Sequence, residues 1–584
     1  MLVLGISAFF HDSAAAIFKD GKLLTAVQEE RFSRLKFDAG FPVNAIRYCL
    51  GEADASPADL DCIAYFELGA SKLSRILKGA VSGGPPFRSI VNKPAIFPGA
   101  EFQIRDHLDF DGAVRSYSHH FSHAAHALGF CPHQNAAIIV ADAVGESRCV
   151  SIISASPSGL TEVFSKDLPH SLGLFYSAIT AFLGFSPNRD EYNVMGLAAY
   201  GRLTCVDKLS SFLRLEEDDV FSINPLFLDI GGMRLDSPSL ATLLQRSPRQ
   251  RGEPITQGDA DIARSAQELL EQAMLRLAKR ARTTVAAPHL CLAGGVALNC
   301  TANQRVRKEA GFESVWVPPG AGDAGSAIGA GRLAQLELNG SWPPAAGAGA
   351  YLGPHYSNGS ITAHLRRLGI PYHAYSDAEL AEQVAELLVQ GNVIGWFEGR
   401  MEFGPRALGA RSILADPRRA DMRDRLNLAI KKRENFRPFA PVALQDSAAS
   451  LFEEARDPYM TFVTRALDAE AIPAAVHIDG TSRLQVLDAD HLPRLNLLLE
   501  AFKRRTGLGC LLNTSFNVAD EPIVCSPTDA LSCFRESGVD ALILERNLVI
   551  RNECPSKFIT PGARRHLEYS RELCPTLTNT YSFT

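Results

Sequence analysis

The sequence predicts an α/β protein of two domains, the first of which contains two similar lobes. Three observations support this class. The chain has 584 residues, which is too long for a single hydrophobic core. Short apolar runs bounded by turns alternate with segments of helical period. One order of strands and turns occurs twice in the first half, at residues 2–28 and at residues 136–164.

The first copy contains three apolar runs, Leu2–Ser7, Ala14–Lys19 and Lys22–Gln28, which predict strands. The Asp20-Gly21 pair between the last two runs is a strong hairpin signal. The copy therefore predicts a compact antiparallel sheet at the start of the chain.

The second copy has the same runs at 136–141, 149–154 and 160–164, and in each copy an aspartate, Asp12 or Asp142, lies in or beside the first connection. Such a duplication is how the two-lobed actin/Hsp70/sugar-kinase class of ATP-binding folds is built. A chance similarity of two β-meanders is the alternative.

The remaining elements follow from helical periods and buried-strand runs. We predict helices at 42–52, 73–78, 173–183, 259–284 and 377–390 and a strand at 393–397. Residues 290–299 predict a buried strand that breaks into a glycine turn and a helix, and the chain closes with an α/β pattern that includes 511–517. Gly294 and Gly295 end one strand and open a helix, a turn that lets backbone N–H groups approach nucleotide phosphates. A second glycine-rich turn at 320–325 carries Asp323 at the start of the next helix.

Residues 339–353 are rich in glycine, proline and alanine, which predicts a domain boundary. We therefore expect a first domain at 1–345 and a second at 346–584. The stretch from about Ser556 has no clear period and is left unassigned.

Composition excludes several classes of protein. A net charge of −6 and an apolar fraction of 46% give no broad basic surface for nucleic acid. The twelve cysteines include no C-x-x-C pair, which predicts reduced thiols in a cytoplasmic protein. The apolar N-terminus lacks a basic region and is expected to be a strand, and no uncharged run is long enough to span a bilayer.

Residues 118–126 contain four of the fifteen histidines. On a helix, His119 and His123 project from one face and could give a divalent metal its first two nitrogen ligands. The predicted strand at 136–142 would deliver the Asp142 carboxylate. Two imidazoles with one or two carboxylates and no nearby thiolate suit Fe(II), Mn(II) or Zn(II). A helix that merely contains histidines is the alternative.

In the second half, Arg406, Lys431, Lys432 and Arg437 lie in rigid or otherwise uncharged surroundings. Guanidinium groups bind phosphate bidentately and lysine adds a point charge, so the set indicates a polyphosphate site. Residues 513–515, at a predicted strand end, would add neutral donors. The alternative is structural ion pairs with nearby carboxylates, namely Asp416, Asp424 and Glu434.

Seven motifs that stand in order along the chain carry a resemblance to a known family. They lie at 11–16, 119–123, 195–201, 294–299, 404–409, 436–441 and 512–517. Together they resemble the O-carbamoyltransferases of the NodU type, which decorate antibiotics and nodulation factors. The resemblance covers about residues 1–550.

The resemblance implies a TsaD-like, actin/Hsp70-like N-terminal domain followed by a YrdC-like α/β domain. The second domain would make carbamoyl adenylate from ATP and carbamoyl phosphate. The first, with a bound metal, would pass the carbamoyl group to a hydroxyl of a natural product. No nucleic-acid or membrane partner is expected. The acceptor's identity and the oligomeric state stay open.

Matched position by position, the resemblance also implies site residues. The metal, Fe(II) or another divalent ion such as Mn, would be held by His119, His123, Asp142 and Asp323. Carbamoyl phosphate and ATP with its Mg would be bound by Arg406, Lys431, Arg437, Arg483, Asn513 and Ser515. Nucleotide in the first domain would meet Gly196, Gly294, Gly295 and Asn299. The catalytic residues would be His11, as general base, and Asp12, although His11 could instead be a turn residue.

Three competing functions remain at this point. A threonylcarbamoyl transferase acting on tRNA would need a basic stripe, which the acidic chain lacks. Hydrogenase-maturation HypF carries C-x-x-C motifs that do not occur here. A non-catalytic actin/Hsp70-like nucleotide-driven binding protein would explain the first half alone and leave Arg406, Arg437 and Asn513 without a purpose.

Overall fold

The computed structural model describes residues 1–69, 99–228, 235, 238–347, 349–434 and 436–559. These residues form two compact units. The first contains the described residues of Met1–Glu29 and Phe37–Gly347, and the second those of Glu30–Lys36 and of the chain from residue 349 onwards. Glu30–Lys36, hereafter the strap, includes the short helix α1 (Glu30–Ser33). The predicted domains at 1–345 and 346–584 do not include this assignment of residues 30–36 to the second unit.

The first unit has two five-stranded sheets and a small hairpin. Its strands are β1 (Leu2–Ser7), β2 (Ala14–Lys19), β3 (Lys22–Gln28), β4 (Cys62–Tyr65), β5 (Ala113–Ser116), β6 (Ala136–Gly145), β7 (Arg148–Ser156), β8 (Gly159–Asp167), β9 (Leu213–Leu215), β10 (Phe221–Ile223), β11 (His289–Ala293) and β12 (Ser314–Trp316).

The two large sheets have the same topology. Their orders are β3-β2-β1-β4-β5 and β8-β7-β6-β11-β12. In each, three antiparallel strands are followed by two parallel ones. Every residue of β1 and β6 is buried, as expected for central strands covered on both faces. The shared order confirms the predicted duplication and the α/β class.

Helices pack around these sheets. Those of the first unit are α2 (Val43–Ala53), α3 (Ala100–Leu108), α4 (His119–Gly129), α5 (Leu172–Phe182), α6 (Glu191–Ala198), α7 (Val206–Leu209), α8 (Pro238–Leu244), α9 (Gln257–Thr284), α10 (Cys300–Glu309) and α11 (Asp323–Asn339). A capping box of Thr256 and Asp259 starts α9. The helix predicted at 73–78 lies outside the described residues.

The second unit is built on one mixed sheet of eight strands, in the order β13-β22-β21-β14-β15-β20-β16-β19, and one two-stranded sheet of β17 and β18. The strands are β13 (His373–Ala374), β14 (Ile394–Phe397), β15 (Arg411–Ala415), β16 (Ala440–Ala443), β17 (Thr464–Arg465), β18 (Thr481–Ser482), β19 (Gln485–Val486), β20 (Cys510–Ser515), β21 (Ala541–Leu544) and β22 (Asn547–Ile550).

Both faces of the large sheet are covered. The helices are α12 (Asn358–Leu368), α13 (Asp377–Val389), α14 (Met422–Arg425), α15 (Gln445–Leu451), α16 (Pro493–Thr506), α17 (Pro527–Glu536) and α18 (Ser556–Ile559). Successive residues of β21 alternate between two cores, with Leu542 and Leu544 in one and Ala541 and Ile543 in the other. A π-helix, Leu426–Lys431, follows α14 directly.

The predicted boundary region is tied to the first unit over most of its length. Arg332 donates to the carbonyl oxygens of Pro343 and Pro344, at 3.1 and 2.9 Å. Trp342 Nε1 donates to the Ser156 carbonyl at 2.9 Å. The division between units falls after Gly347. None of the helices in the described part of the chain is long and apolar enough to cross a membrane.

The strap is anchored within the second unit by two arginines. Arg31, which is 2% exposed, donates to the Gly404 carbonyl at 2.6 Å. Arg34 donates to the carbonyls of Pro522 and Ile523, each at 2.7 Å. Phe32, which lies between the two arginines in the sequence, packs against a small apolar cluster formed by Met401, Ala407, Ile523 and Cys525.

Candidate metal centre and anion site

Four buried side chains of the first unit converge on one point. The ligand atoms of His119, His123, Asp142 and Asp323 all lie within 4.8 Å of one another. His123 Nε2 is 3.1 Å from Asp142 Oδ2 and 3.4 Å from Asp323 Oδ1, and 3.1 Å from His119 Nε2. Each residue is at most 7% exposed. The structure thus brings together all four residues of the predicted ligand set.

Three elements deliver these side chains. His119 and His123 lie one turn apart on α4. Asp142 lies in β6, where the pairing with β7 is irregular between Ala141 and Gly145. Such an irregularity re-aims a side chain that a regular strand would direct elsewhere. Asp142 Oδ1 accepts from the Ala143 amide at 2.7 Å, so Oδ2 faces the centre. Asp323 is the first residue of α11.

Glycines allow α11 to approach α4 closely. A Cβ on Gly329 would lie 1.7 Å from the Ser122 carbonyl oxygen, and one on Gly325 would lie 2.2 Å from His126 Nδ1. A Cβ on Gly145 would lie 2.3 Å from the His119 ring. The positions of the ligands therefore depend on small residues that are not ligands.

The centre favours positive charge. Burial lowers the pKa of His123, but contacts with the Asp142 and Asp323 carboxylates outweigh burial and raise this pKa to about 9. Burial raises the pKa of Asp142, and its contacts with His119 and His123 outweigh burial and hold it well below the usual range. A divalent cation would satisfy the same carboxylates, and this N₂O₂ donor set suits Fe(II), Mn(II) or Zn(II). The residues fit a metal ion.

His11 and Asp12 lie in the connection between β1 and β2. His11 Nε2 is 2.9 Å from the Asn188 carbonyl oxygen, and its ring centroid is 4.8 Å from that of Phe37. Asp12 Oδ2 accepts from Gln28 Nε2 at 2.7 Å.

Contacts at the ends of β1 and β4 connect this region with the metal centre. Tyr65 Oη donates to the Ala8 carbonyl at 3.0 Å, at the start of the β1–β2 connection. The next residue, Phe66, has its ring centroid 5.2 Å from that of His119. These contacts link the start of the β1–β2 connection to His119 through Tyr65 and Phe66.

The residues predicted to bind nucleotide in the first unit lie around the start of α10. Gly294 has φ +85, and a Cβ there would lie 2.3 Å from the Ala141 carbonyl oxygen, so only glycine fits. Gly295 is beside the metal centre, since a Cβ there would be 3.1 Å from Asp142 Oδ1. Asn299 caps α10 by accepting from the Ala302 amide at 3.0 Å. Gly196 lies in α6.

The neighbour of Gly196 connects these elements. Met195 Sδ is 3.7 Å from Cys300 Sγ, at the first residue of α10. The structure therefore brings α6 to the helix that the glycine turn opens.

In the second unit, Lys431 and Ser515 meet directly. Lys431 is 4% exposed, and its Nζ donates to the carbonyl and hydroxyl oxygens of Ser515 and to the carbonyl and Oδ1 of Asn517. Burial, and then the charges of Arg433 and Arg437, lower the pKa of Lys431 well below its usual range. An anion near these like charges would offset their repulsion.

Asn513 links this pair to the Arg406 loop. It lies two residues before Ser515 on β20, so both side chains point to one face of the sheet. Its Nδ2 donates to the Ala407 carbonyl at 3.3 Å and to Gln485 Oε1 at 2.7 Å. Arg406 Nη1 donates to the Tyr459 carbonyl at 3.4 Å.

Arg483 and Arg437 complete the predicted set. Arg483 lies two residues before Gln485, the partner of Asn513. Arg437 lies within electrostatic range of Lys431. Asn513 and Ser515 lie in β20, Lys431 contacts Ser515, and Asn513 contacts the loop of Arg406 through the Ala407 carbonyl.

Sequence reasoning missed several residues of this site. They are Lys36, whose charge acts on Lys431, together with Arg433, Gln485 and Asn517. Asn517 closes one of the seven motifs and could have been chosen from it. Lys36 is far from the others in sequence, and no local signal assigns it to this unit.

Comparisons with known proteins cover most of the chain. A family model described as carbamoyltransferase N-terminus matches residues 2–332, and one described as carbamoyltransferase C-terminus matches residues 385–551. An uncharacterised protein of Synechocystis sp. is 39% identical over 95% of this chain and 97% of its own length. Nodulation protein NolNO of Sinorhizobium fredii is 35% identical over 93% of this chain and 79% of its own length.

Among solved structures, full-length HypF in its phosphate- and nucleotide-bound form aligns with 58% of this chain and 56% of its own. The identity is 12% and the TM-score is 0.34, which is too low to carry weight.

Proposed function

This chain belongs to the carbamoyltransferase family, and we propose that it is an ATP-dependent O-carbamoyltransferase that works in two steps. The observation that carries the proposal is the buried cluster of two imidazoles and two carboxylates within the family's N-terminal region.

The first step is assigned to the second unit, as a YrdC-like domain. Water would first hydrolyse carbamoyl phosphate there to carbamate and phosphate. A carbamate oxygen would then attack the α-phosphorus of ATP, bound with its Mg, to give carbamoyl adenylate, and pyrophosphate would leave. The phosphates would be held by four cationic side chains, those of Arg406, Lys431, Arg437 and Arg483. Neutral hydrogen-bonding groups would come from Asn513 and Ser515. Preorganised cations in a closed site stabilise charge on departing phosphates, which supports this assignment.

The second step is assigned to the first unit. The nucleotide turn of this unit would include Gly196, Gly294, Gly295 and Asn299. Fe(II) would be held by His119, His123, Asp142 and Asp323. The metal would supply Lewis acidity toward the adenylate phosphate. His11 would take the proton of the acceptor hydroxyl as general base, and Asp12 would fix the turn that carries it.

The acceptor is proposed to be a hydroxyl group of a small natural product, carbamoylated in the cytoplasm. The net charge of −6 disfavours a nucleic-acid acceptor. Mass spectrometry of products formed from candidate hydroxylated metabolites would identify it.

A paired mutation tests the two-step scheme. Wild-type protein should release pyrophosphate only when ATP and carbamoyl phosphate are both present. Arg437→Ala should abolish this release because it removes a phosphate contact, whereas Asp323→Ala should retain it and lose only the transfer step. Equal loss of pyrophosphate release in both variants would contradict the assignment of the steps to separate units.

The identity of the metal needs a separate measurement. Protein prepared without oxygen and loaded with Fe(II), Mn(II) or Zn(II) should give the fastest transfer with Fe(II), with pyrophosphate release unchanged among the three. Equal rates of carbamoyl transfer with all three ions would contradict the assignment of Fe(II). The proposal would then be limited to a divalent ion.

A further inference from the structure

A group of strained residues surrounds His11. Phe9, Asp12, Phe37 and Asn188 all have positive φ, at 71, 48, 57 and 63°. The Phe9 amide donates to the Ala39 carbonyl at 2.8 Å, which holds residues 37–39 against this turn. A non-glycine residue in this conformation costs on the order of 1–3 kcal/mol and persists where surrounding contacts impose it. Such residues cluster at active sites, so their concentration here points to function.

The contacts of His11 decide which ring nitrogen is free to act. The Asn188 carbonyl oxygen, 2.9 Å from Nε2, can only accept a hydrogen bond. Nε2 therefore carries a hydrogen. In the neutral ring the lone pair must then be on Nδ1.

The Asn188 carbonyl is itself held in place by Glu191. Glu191 Oε1 accepts from the Asn188 amide at 2.7 Å and from Ser177 Oγ at 2.7 Å. Glu191 is the first residue of α6, where the helix dipole favours a carboxylate. The neighbouring Asp190 makes a different contact, in which its Oδ2 accepts a hydrogen bond from the Ser186 amide at 3.0 Å.

We propose that the Asn188 carbonyl, positioned by Glu191, holds His11 as the Nε2–H tautomer, so that Nδ1 takes the proton in carbamoyl transfer. This inference rests on the proposed function, in which His11 is the base. The acceptor oxygen bonds to the carbamoyl carbon, and its proton goes to Nδ1. The bond from that carbon to the AMP phosphate oxygen breaks, and AMP leaves with the electron pair. Glu191 and Asn188 are positioning residues.

The tautomer is directly measurable by NMR, without an acceptor. In protein labelled with ¹⁵N-histidine, the His11 signals are assigned by their absence from His11→Gln. Wild-type protein should show the pattern of the neutral Nε2–H tautomer. Glu191→Ala should convert a measurable part of it to the Nδ1–H tautomer, while Glu191→Gln, which keeps an oxygen acceptor, should preserve it. Asp190→Ala is the matched control and should leave the signals unchanged.

An activity measurement complements the spectrum. Histidine methylated on Nδ1, placed at position 11, should abolish AMP release to water, the smallest hydroxyl acceptor, with pyrophosphate release retained. An Nδ1–H tautomer in the wild type, or full AMP release by the Nδ1-methylated protein, would overturn the inference. Absence of pyrophosphate release from wild-type protein would instead count against the proposed function. The NMR measurement would still test the tautomer of His11 independently.

Discussion

His119 and His123 reach the metal centre because they stand four positions apart on a helix, a relation that sequence spacing alone predicts. Asp142 was predicted at a strand end, and its aim depends on the irregularity in β6, which has no sequence signal of its own. Asp323 could be assigned only through the family resemblance, since it lies 181 residues beyond Asp142 and is brought near by tertiary packing.

Replacement of His123 should remove the metal without unfolding the protein. His123→Gln deletes one of four ligands, and we expect metal affinity to fall by more than the about 10- to 100-fold typical of losing an outer partner. Metal content per chain, measured after dialysis, is the readout. His126→Gln, on the same helix and equally buried, should retain metal. Equal metal loss in both variants would mean that the helix, not the ligand, was disturbed.

Lys431 should contribute to both stability and adenylate formation. Lys431→Met removes the donor to the Ser515 hydroxyl and to the carbonyl oxygens of Ser515 and Asn517, at a cost of about 1–3 kcal/mol, and removes an amine from the anion site. The free energy of unfolding and pyrophosphate release should both fall. Lys22→Met, at an exposed position of β3 in the first unit, should alter neither. Normal pyrophosphate release by Lys431→Met would remove this lysine from the site.

At the scale of elements, α11 is held close to its neighbours on two sides. A Cβ on Gly5 of β1 would lie 2.0 Å from the Ala327 carbonyl oxygen, and Gly329 faces Ser122 of α4 at a similarly short distance. The long helix therefore connects the first sheet to the helix that carries both histidine ligands. Close backbone approach of this kind leaves little room for rearrangement, so the packing of α11 fixes the position of Asp323 at its start.

Gly329→Ala should disrupt the metal centre from a distance. Its methyl group would overlap the Ser122 carbonyl, and overpacking of this kind costs about 1–3 kcal/mol or more. Both the melting temperature and bound metal should decrease. Gly51→Ala is the matched control, since Gly51 lies in α2 with open space around its Cα, and it should be neutral or stabilising by up to about 1 kcal/mol. Unchanged metal content in Gly329→Ala would show that α4 and α11 can separate without loss of the site.

Local patterns predicted most regular elements within a residue or two. The strands at Leu2–Ser7, Ala14–Lys19 and Lys22–Gln28 are confirmed as predicted, since buried apolar runs and a hairpin turn are local signals. The helix predicted at 377–390 ends one residue earlier, at Val389. The π-helix before Lys432 was not predicted, because its sequence has the same apolar period as an α-helix.

At the scale of the whole molecule, the strap is the feature that sequence reasoning could not foresee. Residues 30–36 follow closely after β3 in the chain, and their partners at Gly404 and Ile523 are hundreds of positions away. The second unit is therefore assembled from two separate stretches of chain, each without a local pattern that indicates the other.

A fragment of the second unit should need the strap for full stability. Residues 349–559 with residues 30–36 joined through a flexible linker should have a higher free energy of unfolding than residues 349–559 alone, because the strap covers apolar surface and donates to three carbonyls. Urea titration gives the comparison. Arg31→Ala with Arg34→Ala in the joined fragment should reverse most of the gain. Equal free energies of unfolding with and without the strap would show that the strap does not stabilise the second unit.

The strap also imposes an order on biosynthesis. Arg31 leaves the ribosome 373 residues before Gly404, its hydrogen-bond partner. At the usual speed of translation, about 5–20 residues per second, this interval is about 20–75 s. For that time a short segment with an apolar side chain, Phe32, remains in the nascent chain before its partners in the second unit have been made. The strap is therefore already present when the second unit is synthesised, and that unit reaches its full stability only after it binds this earlier segment.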